Sequence, residues 1–165
     1  MVSFTTILAL SAAALAAPVV PDYPTLPDFS WKWHVTNWEA GCLGDGCYYG
    51  FDITVPSAKN DVGDITGVKA HCKGRENYDQ SRKYNVYESC EILEGPKENG
   101  VAAKFSERKP DADSYPSTIY FSFKQAANEQ THSRAVNFTG STEAIFNGDE
   151  ERMYFDITPY MATFV

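Results

Sequence analysis

The sequence predicts an all-β protein: a compact antiparallel β-barrel or sandwich of about 8–10 short strands, stapled by disulfides. Three observations carry that expectation. Apolar and polar residues alternate with period two through most of the chain. Gly, Pro, Asn and Asp cluster into turn signals about every 8–12 residues. The one helix-compatible stretch, KQAANEQTHS at 124–133, offers only Ala126 and Ala127 for an apolar stripe, so it is expected to be a loop.

The chain opens MVSFTTILALSAAALAAPVV, with no charged side chain, an apolar run from Ile7 to Ala14, and small residues at Ala14 and Ala16. Residues 1–16 read as a secretory signal peptide cut after Ala16. The apolar run is short of the roughly 20 residues a bilayer span requires, so secretion without membrane insertion is expected. Residues 17–28, APVVPDYPTLPD, hold four prolines and no periodicity, and predict an extended, loosely held arm. Residues 29–165 follow as a single β-barrel domain; the mature chain of about 149 residues is long enough for one domain that buries about 68–70% of the surface its unfolded chain exposes.

Within that domain Phe29, Trp31, Trp33 and Val35 fall on one side of a first strand, with Ser30, Lys32, His34 and Thr36 on the other. Trp38 breaks the phase, which predicts a bend or bulge around Asn37. Tyr49, Phe51, Ile53 and Val55 then alternate with Tyr48, Gly50, Asp52 and Thr54 as far as Pro56, and SAKNDVGD reads as turn material. Val68, Ala70 and Cys72 make a third strand, and YNVYESCEIL, residues 84–93, a fourth. After the turn GPKENG, Val101, Ala103 and Phe105 alternate with polar or small residues; after the polar connection ERKPDADSYPS, so do Ile119, Phe121 and Phe123. Val136 and Phe138 point one way and Asn137 the other. Asn147-Gly148 signals a hairpin between AIF and a last strand carrying Met153, Phe155 and Ile157.

Four cysteines in a secreted chain make disulfides the default and allow three pairings. Cys42 with Cys47 and Cys72 with Cys90 are favoured, because each pair joins sequence neighbours that a hairpin or turn would bring together. Loop entropy assigns roughly 2 kcal/mol to the small ring and roughly 3 kcal/mol to the larger. The histidines, His34, His71 and His132, lack the spacing of a zinc site, and neither cysteine pair has redox spacing. No metal and no cofactor is expected.

Asp plus Glu total 22 against 14 Lys plus Arg, a formal net charge of -8, which disfavours nucleic acid and anionic membrane surfaces as partners. No G-x-S-x-G elbow occurs, Ser141 sits in an ordinary context, and His34 lies on the polar face of its strand. The run Asp149, Glu150, Glu151 reads as a solvated hairpin turn, and no catalytic residue is assigned. Aromatic residues are the positive feature, with 10 Phe, 10 Tyr and 3 Trp. Most fit the inward phase; Tyr48, Tyr120 and Tyr154 take the opposite one and are the candidates for a binding face that stacks on a ring or anchors a protein. Asn137-Phe138-Thr139 is the single N-glycosylation sequon, and its Asn is expected to face water.

The segments FSWKWHV, NWEAGC and CYYGFDITV resemble the opening of small secreted fungal proteins related to the major Alternaria allergen, a family that includes hypersensitive-response-inducing elicitors. GVKAHCKG and KYNVYESC are similar to that family's central disulfide hairpin. The resemblance implies a compact β-barrel, release into the plant apoplast, no catalytic residues, and recognition by a plant apoplastic or cell-surface protein. The allergen dimerises through an extra cysteine that has no counterpart here, so a monomer or noncovalent dimer is expected. The expected function is therefore that of a secreted elicitor or effector that acts by binding and not by catalysis. A small-ligand barrel for a phenolic or lipid is the alternative, ahead of a carbohydrate-binding module or hydrolase.

Overall fold

The computed structural model describes residues 23–28, 30–43, 46–61, 63–76, 85–108, 115–129, 133–146 and 154–165. The signal peptide, the first half of the arm, Phe29, His132, the Asn147-Gly148 turn, the acidic run after it and Met153 lie outside them.

Twelve strands appear among the described residues. In chain order they are β1 (Trp33–Leu43), β2 (Gly46–Val55), β3 (Ala58–Asn60), β4 (Gly63–Ile65), β5 (Val68–Arg75) and β6 (Glu88–Ser89). Then come β7 (Glu91–Glu94), β8 (Gly100–Phe105), β9 (Thr118–Gln125), β10 (Val136–Glu143), β11 (Phe155–Ile157) and β12 (Met161–Phe164). A first sheet runs β11-β1-β2-β5-β7 and a second β12-β10-β9-β8-β6, with β3 and β4 as a separate small hairpin. Every pairing is antiparallel.

The fold is thus all-β and disulfide-stapled, and of the two expected architectures, barrel or sandwich, it is the sandwich: the sheets of residues 29–165 do not close into a barrel. The reason lies at two corners. The chain leaves the second sheet at β6 and enters the first at β7 with only Cys90 between, and it returns from β11 to β12 through residues 158–160. At each corner the chain is continuous while the hydrogen-bond ladder is not. The strand count exceeds the predicted 8–10 for related reasons. The expected fourth strand is cut in two at Cys90, the 57–64 turn holds β3 and the start of β4, and β12 has no counterpart in the sequence reading. The last predicted hairpin is also corrected: residues 144–146 form no strand, and β11 pairs with β1 in the opposite sheet.

Period-two alternation fills the space between the sheets. Trp33, Val35, Phe51 and Ile53 from the first sheet meet Phe121, Phe123 and Phe138 from the second, all at most 1% exposed. Edge-on ring contacts cross the gap from Trp33 to Phe123 at 6.3 Å and from Phe51 to Phe121 at 5.3 Å. The Tyr49 hydroxyl also crosses, donating to the Ala103 carbonyl at 2.7 Å. Burial first, and then the Glu88 carboxylate, push the Tyr49 phenol far above its ordinary range, so it stays a neutral donor.

The expected bulge is present. The β1–β2 register slips between Thr36 and Glu39, and Asn37 takes φ 53°, a left-handed conformation that Asn tolerates better than most residues. Asn37 Nδ2 donates to Asp52 Oδ2 at 2.7 Å, pinning the bulge to β2. One extra residue returns Trp38 to the inward phase, where its ring packs on Phe51 and Phe155 and its Nε1 donates to the Ile145 carbonyl at 2.7 Å.

Both disulfides pair as expected, Cys42 with Cys47 and Cys72 with Cys90. The first joins register partners beside the β1–β2 turn. That turn is clamped from outside: Glu76, with a side chain only 5% exposed, bonds through both oxygens to Arg108 at 2.7 Å and accepts from the Cys47 amide at 3.2 Å. The end of the proline-rich arm is not loose, a further correction. Pro24 and Pro27 are buried, the Thr25 amide donates to Asp61, and Asn60 donates to the Thr25 carbonyl.

Two outcomes are expected. Tyr49→Phe leaves the Ala103 carbonyl without its donor between the sheets, and denaturant unfolding should show a loss of about 1–2 kcal/mol. Asn37, and after it His71, hydrogen-bond Asp52 and hold its carboxyl below its ordinary value. Stability from ionised Asp52 is therefore present above the unfolded-chain value near 3.8 and is lost as pH falls through the lower folded value. Asp52→Ala should cost about 1 kcal/mol at neutral pH and progressively less towards about pH 2; a cost that does not change with pH would contradict this origin.

Candidate functional site on the outer face of the second sheet

Inward alternation on β8, β9 and β10 forces the intervening residues outward, and on this face they form rungs. Lys104 pairs with Tyr120, and Thr139 pairs with both Ser122 and Met161. Tyr87, one residue before β6, reaches the same rung: the Lys104 Nζ lies 5.0 Å from the Tyr87 ring centroid and 5.8 Å from that of Tyr120. A cation between two phenol faces is attracted by both ring quadrupoles. Tyr160, in the corner between β11 and β12, borders the same surface, held by its amide bond to the Thr139 carbonyl at 2.9 Å.

Together these residues surround an open depression of about 620 Å³, with Asn137 and Thr139 on β10 also lining it. Tyr87 is 40% exposed and Tyr160 54%, while Tyr120 is half-buried between them. Partial burial, followed by the neighbouring hydroxyls of Tyr160 and Tyr120, raises the Tyr87 phenol above its ordinary value. Chemically the surface offers wide apolar rings, several hydroxyl and amide groups, the Lys104 cation and the Glu107 carboxylate, a mixture that protein recognition sites favour.

The three tyrosines marked in the sequence do not share one face. Tyr120 lies in the depression. Tyr48 faces outward from the first sheet, and its ring lies on Gly41, its register partner, so close that a Cβ there would clash. Its outward phase covers a glycine. Tyr154 is 77% exposed and stands beside β11, at the edge of the first sheet. Sequence reasoning missed Tyr87, which was placed within one unbroken strand, and Tyr160, which precedes an unanticipated strand.

The outer face of the first sheet has a different character. His34 Nδ1 lies 2.7 Å from Asp156, His71 Nδ1 2.9 Å from Asp52, and Lys69 Nζ 3.3 Å from Glu94. These charges already have partners, in pairs of small individual worth. Among the described residues no group of three or more His, Cys, Asp or Glu side chains is placed to hold a metal ion.

No family model matches the chain, and no curated protein or solved structure is significantly similar to it. The likeness to the allergen-related family therefore rests on the quoted segments alone.

In an alkaline titration followed by phenolate absorbance, Tyr87→Phe is expected to remove a group that ionises above the ordinary value of 10.0. Loss of a group with an ordinary midpoint would mean that Tyr87 is not packed into the depression as described.

Proposed function

We propose that the protein is a secreted fungal elicitor or effector that acts by binding, and that a plant apoplastic or cell-surface protein recognises the face built by Tyr87, Tyr120 and Tyr160. One observation carries the reading: three phenols and Lys104 converge on one open depression, on a scaffold whose interior is occupied by its own rings. Tyrosine serves such a role because it contributes a large amphipathic surface with few rotors to freeze on binding. Two disulfides suit a protein that works outside the cell. The resemblance of the Phe29–Val55 and Cys72–Cys90 segments to the elicitor-containing family supplies the biological class.

A second reading keeps the site and changes the ligand. Lys104 beside two phenol rings also suits a small acidic phenolic, held by stacking and charge. The filled interior moves that reading from inside a barrel to the outer face.

The mature protein infiltrated into leaves is expected to elicit defence or local cell death. Tyr120→Ala/Tyr160→Ala should weaken that response about tenfold or more, the scale of losing central aromatic anchors, while Tyr154→Ala leaves it unchanged. Undiminished potency of the double variant would refute the face. Saturable fluorescence quenching by phenolics that the double variant abolishes would favour the second reading instead.

A further inference from the structure

The sequon and the tyrosine depression coincide. Val136 and Phe138 are buried in the core, which puts Asn137 and Thr139 side by side on the other face of β10, Asn137 half-buried and Thr139 buried there. Ser122 Oγ donates to Asn137 Oδ1 at 2.7 Å, and this orients the amide so that Nδ2 lies 3.5 Å from the Thr139 hydroxyl. Both residues line the depression that Tyr120 and Tyr160 border. Nδ2 is the atom that bears an N-linked sugar, so a glycan at this position starts from the lining of the depression.

We infer that Asn137 is an N-glycosylation site whose first N-acetylglucosamine packs into this depression against the tyrosines, as an intramolecular ligand, and that the glycan when present covers the recognition face. The second half rests on the function proposed above. The bond joins Nδ2 to C1 of a sugar carried on a lipid pyrophosphate. The C1–O bond to the pyrophosphate breaks, its electron pair leaves with the lipid pyrophosphate, and Nδ2 gives up one proton. The backbone places this step early, because β10 is paired on both sides, with β9 and β12, and its sequon is extended and accessible only before the second sheet closes. Once the sheet forms, the sugar is left over rings that offer it a flat apolar surface, with Lys104 and Asn85 as polar neighbours in the same depression.

The test uses the full chain secreted by a glycosylating eukaryotic host. Peptide mapping is expected to find a glycan on Asn137, retained in Thr139→Ser and lost in Asn137→Gln. An amidase that cleaves at Asn should release it at least tenfold more slowly from the native protein than from the denatured one. Tyr120→Ala/Tyr160→Ala should bring native release close to the denatured rate. An unmodified Asn137, or equal release rates from native and denatured wild type, would overturn the inference. For the covering effect, glycosylated protein is compared in leaves with the same sequence from an oxidising bacterial periplasm. The unglycosylated form is expected to be about tenfold more potent, and equal potency would refute the covering. Should the unglycosylated double tyrosine variant remain fully potent, the recognition face fails while the glycan's seat stands on the release rates.

Discussion

Ring packing between two antiparallel sheets is the constraint on which the rest of the molecule depends. Trp33, Phe51, Phe121, Phe123 and Phe138 all lie in the gap, mostly edge to face. Each such pair adds about 0.5–1.5 kcal/mol beyond the area it buries. To bring rings from both sheets into one layer, every inward position must keep its phase. Where the sequence breaks phase at Trp38, the backbone adds a residue at Asn37 and the Asp52 carboxylate secures it. A filled interior also decides where function is located, since it leaves the two outer faces and the loops.

The two corners convert a would-be barrel into a sandwich. Cys90 occupies the switch between β6 and β7, and its bond to Cys72 fixes that corner to the middle of β5. The opposite corner is packed against Gly140, where a Cβ would strike Ile157, so the return from β11 to β12 runs tight over β10. That tightness brings Tyr160 beside β10 and thereby completes the depression. Glu76 and Arg108 play a similar holding part at the Cys42–Cys47 turn, joining the ends of two long connections to one disulfide hairpin.

Much of the fold was legible because alternation is a local signal. Inward sets such as Tyr49, Phe51, Ile53 and Val55, the bulge at Asn37, both disulfides and the outward Asn137 all follow from neighbours in sequence. What was not legible is the sheet to which a strand belongs. Glu88–Ser89 and Glu91–Glu94 read as one strand because nothing local distinguishes a chain that continues in one sheet from one that crosses to another. The site suffered from the same blindness. Tyr120 was visible from its phase, but Tyr87 and Tyr160 join it only through the two corners, and Tyr48 shows that an outward ring can serve a glycine beneath it.

The aromatic residues thus divide into a sealed interior and outer rings, among which Tyr87, Tyr120 and Tyr160 form the cluster proposed as the recognition face. Hydroxyl-radical footprinting of the unglycosylated, disulfide-bonded protein, alone and with leaf apoplastic proteins, tests that division most directly. The expected result is no labelling of Trp33, Phe51 or Phe121 in either state, and labelling of Tyr87, Tyr120 and Tyr160 that the plant proteins suppress. Labelled interior rings, or protection confined to Tyr48 and Tyr154, would contradict it.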